Sequence, residues 1–240
     1  MYDKICVGKN GGYMIDTILF DLDDTLLDFT ANELTAIMDT LFRFGIPSTR
    51  ANIDRYIEIN RESWKRLERG EWTREEVLVG RFRILFDEFG VESAPAEAQS
   101  YYGERLSREG SWIDGAREVL LALRPKYRLF GVTNGNKAVQ DRRISITRID
   151  EYLDEIFISE EIGADKPSRE YFDAVFKKIG AWRESCVIVG DSLTSDIQGG
   201  INAGIHTVYY NPKGIKGNTG ITPEYEIGAL EEIFALLERI

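Results

Sequence analysis

Apolar and polar positions fall into two regimes along this chain. Five short, nearly unbroken apolar runs stand at residues 15–20, 129–132, 155–158, 186–189 and 204–209. They are short and rich in β-branched and aromatic side chains, which predicts strands buried on both faces of a sheet. Between and after the later runs the apolar period changes to that of a helix. Residues 137–148, 169–179, 195–202 and 225–239 are predicted helices. The second carries Tyr171, Phe172, Val175, Phe176 and Ile179 on one face, and the last carries Leu230, Ile233, Phe234 and Leu237. Strand alternating with helix from about residue 112 onward implies βαβ units with right-handed crossovers, so the fold class is α/β, a Rossmann-like doubly wound parallel sheet.

The second regime covers residues 28–111. No run there reads as a strand, and helical stripes are expected at about 32–44, 50–68, 73–89 and 95–108. Leu34, Ile37, Met38, Leu41 and Phe42 form the first stripe, and Val77, Leu78, Phe82, Leu85, Phe86 and Phe89 the third. Breaks at Gly45 to Ser48, at Gly90 with Pro95, and at Gly110 to Gly115 support these limits. The expected organisation is a flexible leader at 1–13, an α/β core at 14–27 and 112–240, and an inserted α-helical cap domain at 28–111. Such an insert, directly after the first strand, is expected to act as a lid that excludes water and selects substrate. Residues 210–225, with three glycines and two prolines, read as a loop.

Charge and cysteine content narrow the function. Thirty basic against 41 acidic residues give a formal charge of −11, which disfavours a nucleic-acid polymer as partner. The apolar runs are far shorter than the roughly 20 residues a membrane helix needs, so no membrane partner is expected. Cys6 and Cys186 are the only cysteines, and Cys186 lies inside an apolar run where a buried thiol is expected, consistent with the cytoplasm.

The candidate chemistry collects where strands stop. The run at 15–20 ends in Asp21-Leu22-Asp23-Asp24-Thr25. Asp21 and Asp23 are two apart and can face one side of an extended segment, one as nucleophile and one as acid and base. So much carboxylate at a strand end calls for a divalent cation. Asp24 and Thr25 suit a turn, and Thr25 offers an N–H and a hydroxyl to a phosphate. Thr133-Asn134-Gly135 follows the second core run and can cradle phosphate oxygens. Lys166-Pro167 precedes a helix, with Pro167 expected in its first turn, and the lysine can neutralise charge on the nucleophile and the phosphate. Gly190-Asp191 follows the fourth run. Asp191 is placed to ligate a cation and Asp196 to orient its water or cap a helix, an all-oxygen set suited to Mg²⁺. His206 reads as a packing residue. Singly each signal is a common turn or cap; the ordered array is not.

These four motifs together resemble the haloacid dehalogenase-like hydrolases, from residue 15 to about 210. The resemblance implies that Asp21 forms an aspartyl-phosphate and that Asp23 protonates the leaving group and then activates water. It implies Mg²⁺ held by Asp21, the Asp23 carbonyl, Asp191 and Asp196, and a phosphoryl group contacted by Asp24, Thr25, Thr133, Asn134 and Lys166. Within the superfamily the motifs most resemble the nucleoside 5'-monophosphatases that prefer pyrimidines. A small phosphorylated metabolite is the expected partner, and the protein a monomer or homodimer. The alternatives are a 2-haloacid dehalogenase, against which the Asp23 carboxyl argues, and a non-enzymatic cation- or protein-binding module. Phe29, Trp64, Trp72 and Tyr101 are candidates to stack on a base, and Arg61, Lys65, Arg66 and Arg69 to attract an anion, though cap packing for the former and a solvated face for the latter are the simpler readings.

Overall fold

The computed structural model describes residues 14–215, 217 and 219–240. The expected leader at 1–13, with Cys6, lies outside the described residues. Strands β1 (Thr17–Asp21), β2 (Arg128–Thr133), β3 (Glu155–Ile158), β4 (Cys186–Gly190), β5 (His206–Tyr210) and β6 (Tyr225–Ile227) form one sheet in the order β3-β2-β1-β4-β5-β6, every pairing parallel. All five residues of β1 and of β4 are buried, as strands covered on both faces must be. Leu19 lies opposite Phe130 on one side and Ile188 on the other. That ladder packs against Phe172, Val175 and Phe176 of the helix at Arg169–Ile179. Truncating any of these side chains to Ala is a loss of about 2–5 kcal/mol. The order reverses at β1, whose neighbours are β2 and β4, and in open parallel sheets the crevice at such a switch point is where ligands bind.

The chain divides into two compact units, Met1–Leu27 with Trp112–Lys137 and Arg148–Ile240, and Asp28–Ser111 with Ala138–Thr147. The second holds α1 (Phe29–Arg43), α2 (Arg50–Glu68), α3 (Arg74–Phe89) and α4 (Pro95–Leu106). Their starts follow from local chemistry. Asp28 and Thr49 accept hydrogen bonds from the first turns of α1 and α2, Thr73 and Glu76 cap α3 reciprocally, and Pro95 opens α4. Gly90 ends α3 in the left-handed region at φ 63°. Ile37, Leu41, Tyr56, Phe82, Phe86 and Tyr102 fill the bundle's core.

Beyond α4 the chain forms α5 (Ala116–Leu123), α6 (Lys137–Thr147), α7 (Ser159–Ile162), α8 (Arg169–Ile179), α9 (Gln198–Ala203) and α10 (Ile233–Leu237). Three differences from the sequence reading have clear causes. First, α6 belongs almost wholly to the helical unit, where Val139 joins the bundle core; a local helical pattern does not say which neighbours the helix will pack on. Second, the helix expected from residue 225 begins only at Leu230, as a short 3₁₀ turn before α10, because Tyr225–Ile227 extends the sheet as β6 and Gly228 interrupts. Third, Pro167 precedes the first turn of α8, whose N-cap is Ser168. Among the described residues no helix is long and apolar enough to cross a membrane.

Candidate active site

The nucleophile candidate closes β1. Asp21 is that strand's last residue, 6% exposed, and sits in register with Val132 on β2. Beyond it the chain turns tightly: the amide of Asp24 donates to Leu27 O at 2.7 Å, and those of Leu26 and Leu27 both donate to Leu22 O. Asp24 holds the left-handed region at φ 61°, a conformation that short polar side chains tolerate better than most. Thr25 is fully buried, and its hydroxyl makes no hydrogen bond within the described residues. An unmet buried hydroxyl is unusual enough to require a role or a bound group.

Lys166 is the hub. It lies in the loop between α7 and α8, yet its side chain is 1% exposed. Its Nζ donates to Asp21 Oδ1 at 2.6 Å, to Asp196 Oδ1 at 2.6 Å and to Val132 O at 2.9 Å, which uses all three protons of the ammonium. That burial sets it apart from a solvated lysine at a helix start. Asp196 is aimed by a π-helical turn, Leu193–Ile197, directly after β4. Its second oxygen accepts from the Ser192 amide at 3.0 Å, while Ser192 Oγ caps the turn by accepting from Ser195 N at 3.1 Å. Gly190 is obligatory here, since a Cβ at that position would lie 2.3 Å from Asp196 Cγ.

Charge is crowded in this pocket. Burial pushes the Asp21 carboxyl up to about 8; Lys166 opposes that rise, and the Asp196 and Asp23 carboxylates add to it. Asp191 is also raised well above the carboxylate range, by burial first and then by Asp21 and Asp196. For Lys166 burial alone would lower the pKa, but Asp196 and Asp21 outweigh it, so the ammonium stays charged. Carboxylate oxygens of Asp21, Asp191 and Asp196 all lie within 4.8 Å of one another. Three hard oxygen donors and an excess of buried negative charge fit a divalent cation of the magnesium type.

Other residues singled out by the sequence take distinct places. Thr133 ends β2; its Oγ1 accepts from Gly135 N at 2.9 Å and lies 3.5 Å from Asp23 Oδ2. Asn134 directs its side chain to the backbone of Lys166, at 2.8 Å from both N and O, and to Ser195 Oγ at 3.4 Å. His206 Nδ1 meets Glu224 at 2.8 Å, a tie beside β5. In the helical unit, Trp72 lies under Arg66 at 4.6 Å, Trp64 faces Arg74 at 5.7 Å, Phe29 faces Arg143 at 5.4 Å and Tyr101 meets the edge of Phe44 at 6.4 Å. Arg69 is bound to Glu62 and Glu71. Three participants escaped the sequence reading: Val132 through its carbonyl, Ser192 and Ser195. Ser192 carried a signal, because a Ser three residues before a turn amide is a capping pattern. The Val132 carbonyl carried none.

Known proteins bear on this geometry in three ways. The family model for haloacid dehalogenase-like hydrolases matches residues 18–210. Pyrimidine 5'-nucleotidase PynA of Streptococcus pneumoniae is 35% identical, with 92% of this chain and 94% of that protein covered. Pyrimidine 5'-nucleotidase YjjG of Escherichia coli is 30% identical over 92% and 97%. The HAD-hydrolase YfnB of Bacillus subtilis is 38% identical, and its magnesium-bound crystal structure superposes with a TM-score of 0.87 over 95% of this chain and 100% of that one. With the four motifs gathered at the carboxyl ends of β1, β2 and β4 and in the loop before α8, the chain belongs to the haloacid dehalogenase-like hydrolases.

Proposed function

We propose that this protein is a phosphomonoesterase that hydrolyses nucleoside 5'-monophosphates, pyrimidine nucleotides foremost, through an aspartyl-phosphate on Asp21. The observation that carries the reading is Lys166 Nζ at 2.6 Å from a buried strand-end carboxylate, beside two more carboxylates able to converge on one cation. The substrate class rests on the likeness to PynA and YjjG. A retained carboxyl at Asp23 favours ester hydrolysis over dehalogenation, since only the former needs an acid for the leaving group.

The Asp21 carboxylate attacks phosphorus as the bond from phosphorus to the ester oxygen breaks. Asp23, protonated, gives its proton to the departing alkoxide, a contribution of about 10²–10⁴-fold. Asp23, now a carboxylate, takes a proton from water as that water attacks phosphorus; the bond to Asp21 breaks and inorganic phosphate leaves. Lys166 stays protonated throughout and offsets the charge gathered on the phosphoryl oxygens. Thr133 and Thr25 supply hydroxyl and amide donors to those oxygens. Asp21, Asp191 and Asp196, with the Asp23 carbonyl, would hold Mg²⁺, which when bound supplies positive charge that lowers the repulsion between carboxylate and phosphate.

Cys186, a buried free thiol, is compatible with work in the reducing cytoplasm. The decisive experiment measures inorganic phosphate released from a panel of nucleoside monophosphates, sugar phosphates and p-nitrophenyl phosphate, with magnesium and with EDTA. Turnover of pyrimidine nucleotides that stops in EDTA is expected. Turnover indifferent to EDTA, or chloride release from 2-chloropropionate without phosphatase activity, overturns the reading.

A further inference from the structure

Asn134 stands next to the phosphate-cradle residue Thr133, but its side chain is engaged elsewhere. Oδ1 accepts from the Lys166 amide at 2.8 Å, and Nδ2 donates to the Lys166 carbonyl, also at 2.8 Å. The side-chain amide therefore behaves as a peptide group, pairing with both backbone polar atoms of one residue 32 positions away. Nδ2 also reaches Ser195 Oγ at 3.4 Å, in the turn that aims Asp196.

Lys166 needs such a grip. It belongs to no helix or strand, and its long, flexible side chain must be frozen before Nζ can meet Asp21, Asp196 and Val132 O together. Val132 and Asn134 are two residues apart at the end of β2. The carbonyl of the first holds the tip of the lysine, and the side chain of the second holds its root. Both anchors come from one strand end that is in register with Asp21, so the ammonium is fixed relative to the nucleophile by the sheet itself.

We infer that Asn134 is a positioning residue, a two-point clamp on the Lys166 backbone that keeps the ammonium on Asp21. This rests on the phosphatase reading for its kinetic consequence and on geometry alone for its structural one. A misplacement of about 1 Å at a reacting centre is enough for a loss of about 100-fold.

The test is a double-mutant cycle of Asn134→Leu with Lys166→Met, the magnesium enzyme being assayed for kcat and KM and both forms for urea midpoint. Acting through the lysine, Asn134→Leu lowers kcat about 100-fold and leaves KM nearly unchanged. In the Lys166→Met background it changes kcat by no more than about 2-fold, the scatter of independent sites. The midpoint shift, in contrast, is the same in both backgrounds, because the clamp grips backbone and not the ammonium. A purely structural residue would give matching patterns in rate and stability. Equal loss of kcat in both backgrounds, or a rise in KM alone, overturns the inference in favour of direct substrate contact. Asn134→Asp, which keeps only the acceptor half, is expected to fall between wild type and Asn134→Leu; it replaces Asn134→Leu if that variant does not fold, and Lys166→Arg replaces Lys166→Met likewise. Should the wild type release no phosphate, the functional reading fails by itself. The clamp is then judged on the Lys166 ammonium by ¹⁵N NMR of the metal-free protein: its slow proton exchange is lost in Asn134→Leu if the inference holds, and retained if it does not.

Discussion

Among the described residues each unit holds a network of buried charge, and the two are wired in opposite ways. At the sheet edge Lys166 touches two carboxylates directly, with Asp191 close by. In the helical unit Arg81, 3% exposed, meets amides instead: Asn60 Oδ1 at 2.5 Å and Gln99 Oε1 at 2.6 Å, with the ring of Tyr102 4.9 Å away. Asn60 passes the connection to Glu33 at 2.6 Å, which also accepts from Tyr102. A cation and an anion are joined there through an amide that bonds to both. The sheet edge sets three carboxylates about one ammonium, whereas the helical unit also buries a second guanidinium, Arg143, which meets the Gln140 amide at 3.2 Å. Surplus negative charge is what a divalent cation can use; guanidinium groups met by neutral amides offer no such excess and serve to fix how helices pair.

The contrast can be broken most severely at Asp21. Asp21→Asn is expected to lower phosphate release on the order of 10⁴-fold or more, and yet to raise the melting temperature of the EDTA-treated protein by removing one of the repelling carboxylates. A variant that loses both activity and stability would show that the carboxylates are not under repulsion. Removing the cation instead reverses the sign. Lys166→Met leaves Asp21 and Asp196 buried without it, and urea denaturation in EDTA is expected to reveal a loss of about 3–5 kcal/mol, part of it regained with magnesium. At the other network Arg81→Met is expected to destabilise by about 3 kcal/mol, with the double variant Arg81→Met, Glu33→Gln recovering part of that loss because Asn60 couples the two side chains. A double variant no better than the single would refute that coupling.

The mildest probe is pH. A carboxyl near 3.8 when unfolded and about 8 when folded binds its proton more tightly in the native state. Its contribution to stability is fully present below about 3.8 and is lost as pH rises through about 8. Metal-free protein should therefore melt at progressively lower temperature from about pH 5 to about pH 8, and the Asp21→Asn variant should lose that slope. Scanning calorimetry in EDTA reads both; a flat wild-type profile would remove the argument for crowding at this site.

What could be read in the chain depended on range. The continuous apolar runs of β1 and β4 declare strands buried on both faces, and their abrupt ends put Asp21 and Asp191 at a parallel sheet's edge. The three-residue β6 is too short to show a period, so Tyr225 and Ile227 read as the start of a helix. Helix α6 has hardly any one-sided apolar pattern, and nothing local could say that Val139 packs in the bundle. Motif residues such as Thr133 and Lys166 stand out by type and spacing, whereas the clamp from Asn134 spans 32 residues and exists only after the strands are laid side by side. Side-chain amides and backbone carbonyls leave no sequence signature for such work, which is why Val132 went unseen.

The position of β1 has a consequence for how the protein comes into being. As a ribosome delivers the chain, the strand ending in Asp21 emerges before the five other strands of its sheet, and both its partners, β2 and β4, arrive more than a hundred residues later. Until then its apolar run has no native neighbour, and such long-range parallel pairing is slow and exposed to aggregation. The nucleophile is thus translated ahead of its neighbours and seated late, after Gly190 has left the exit tunnel, so a half-made chain carries the nucleophile but cannot yet use it.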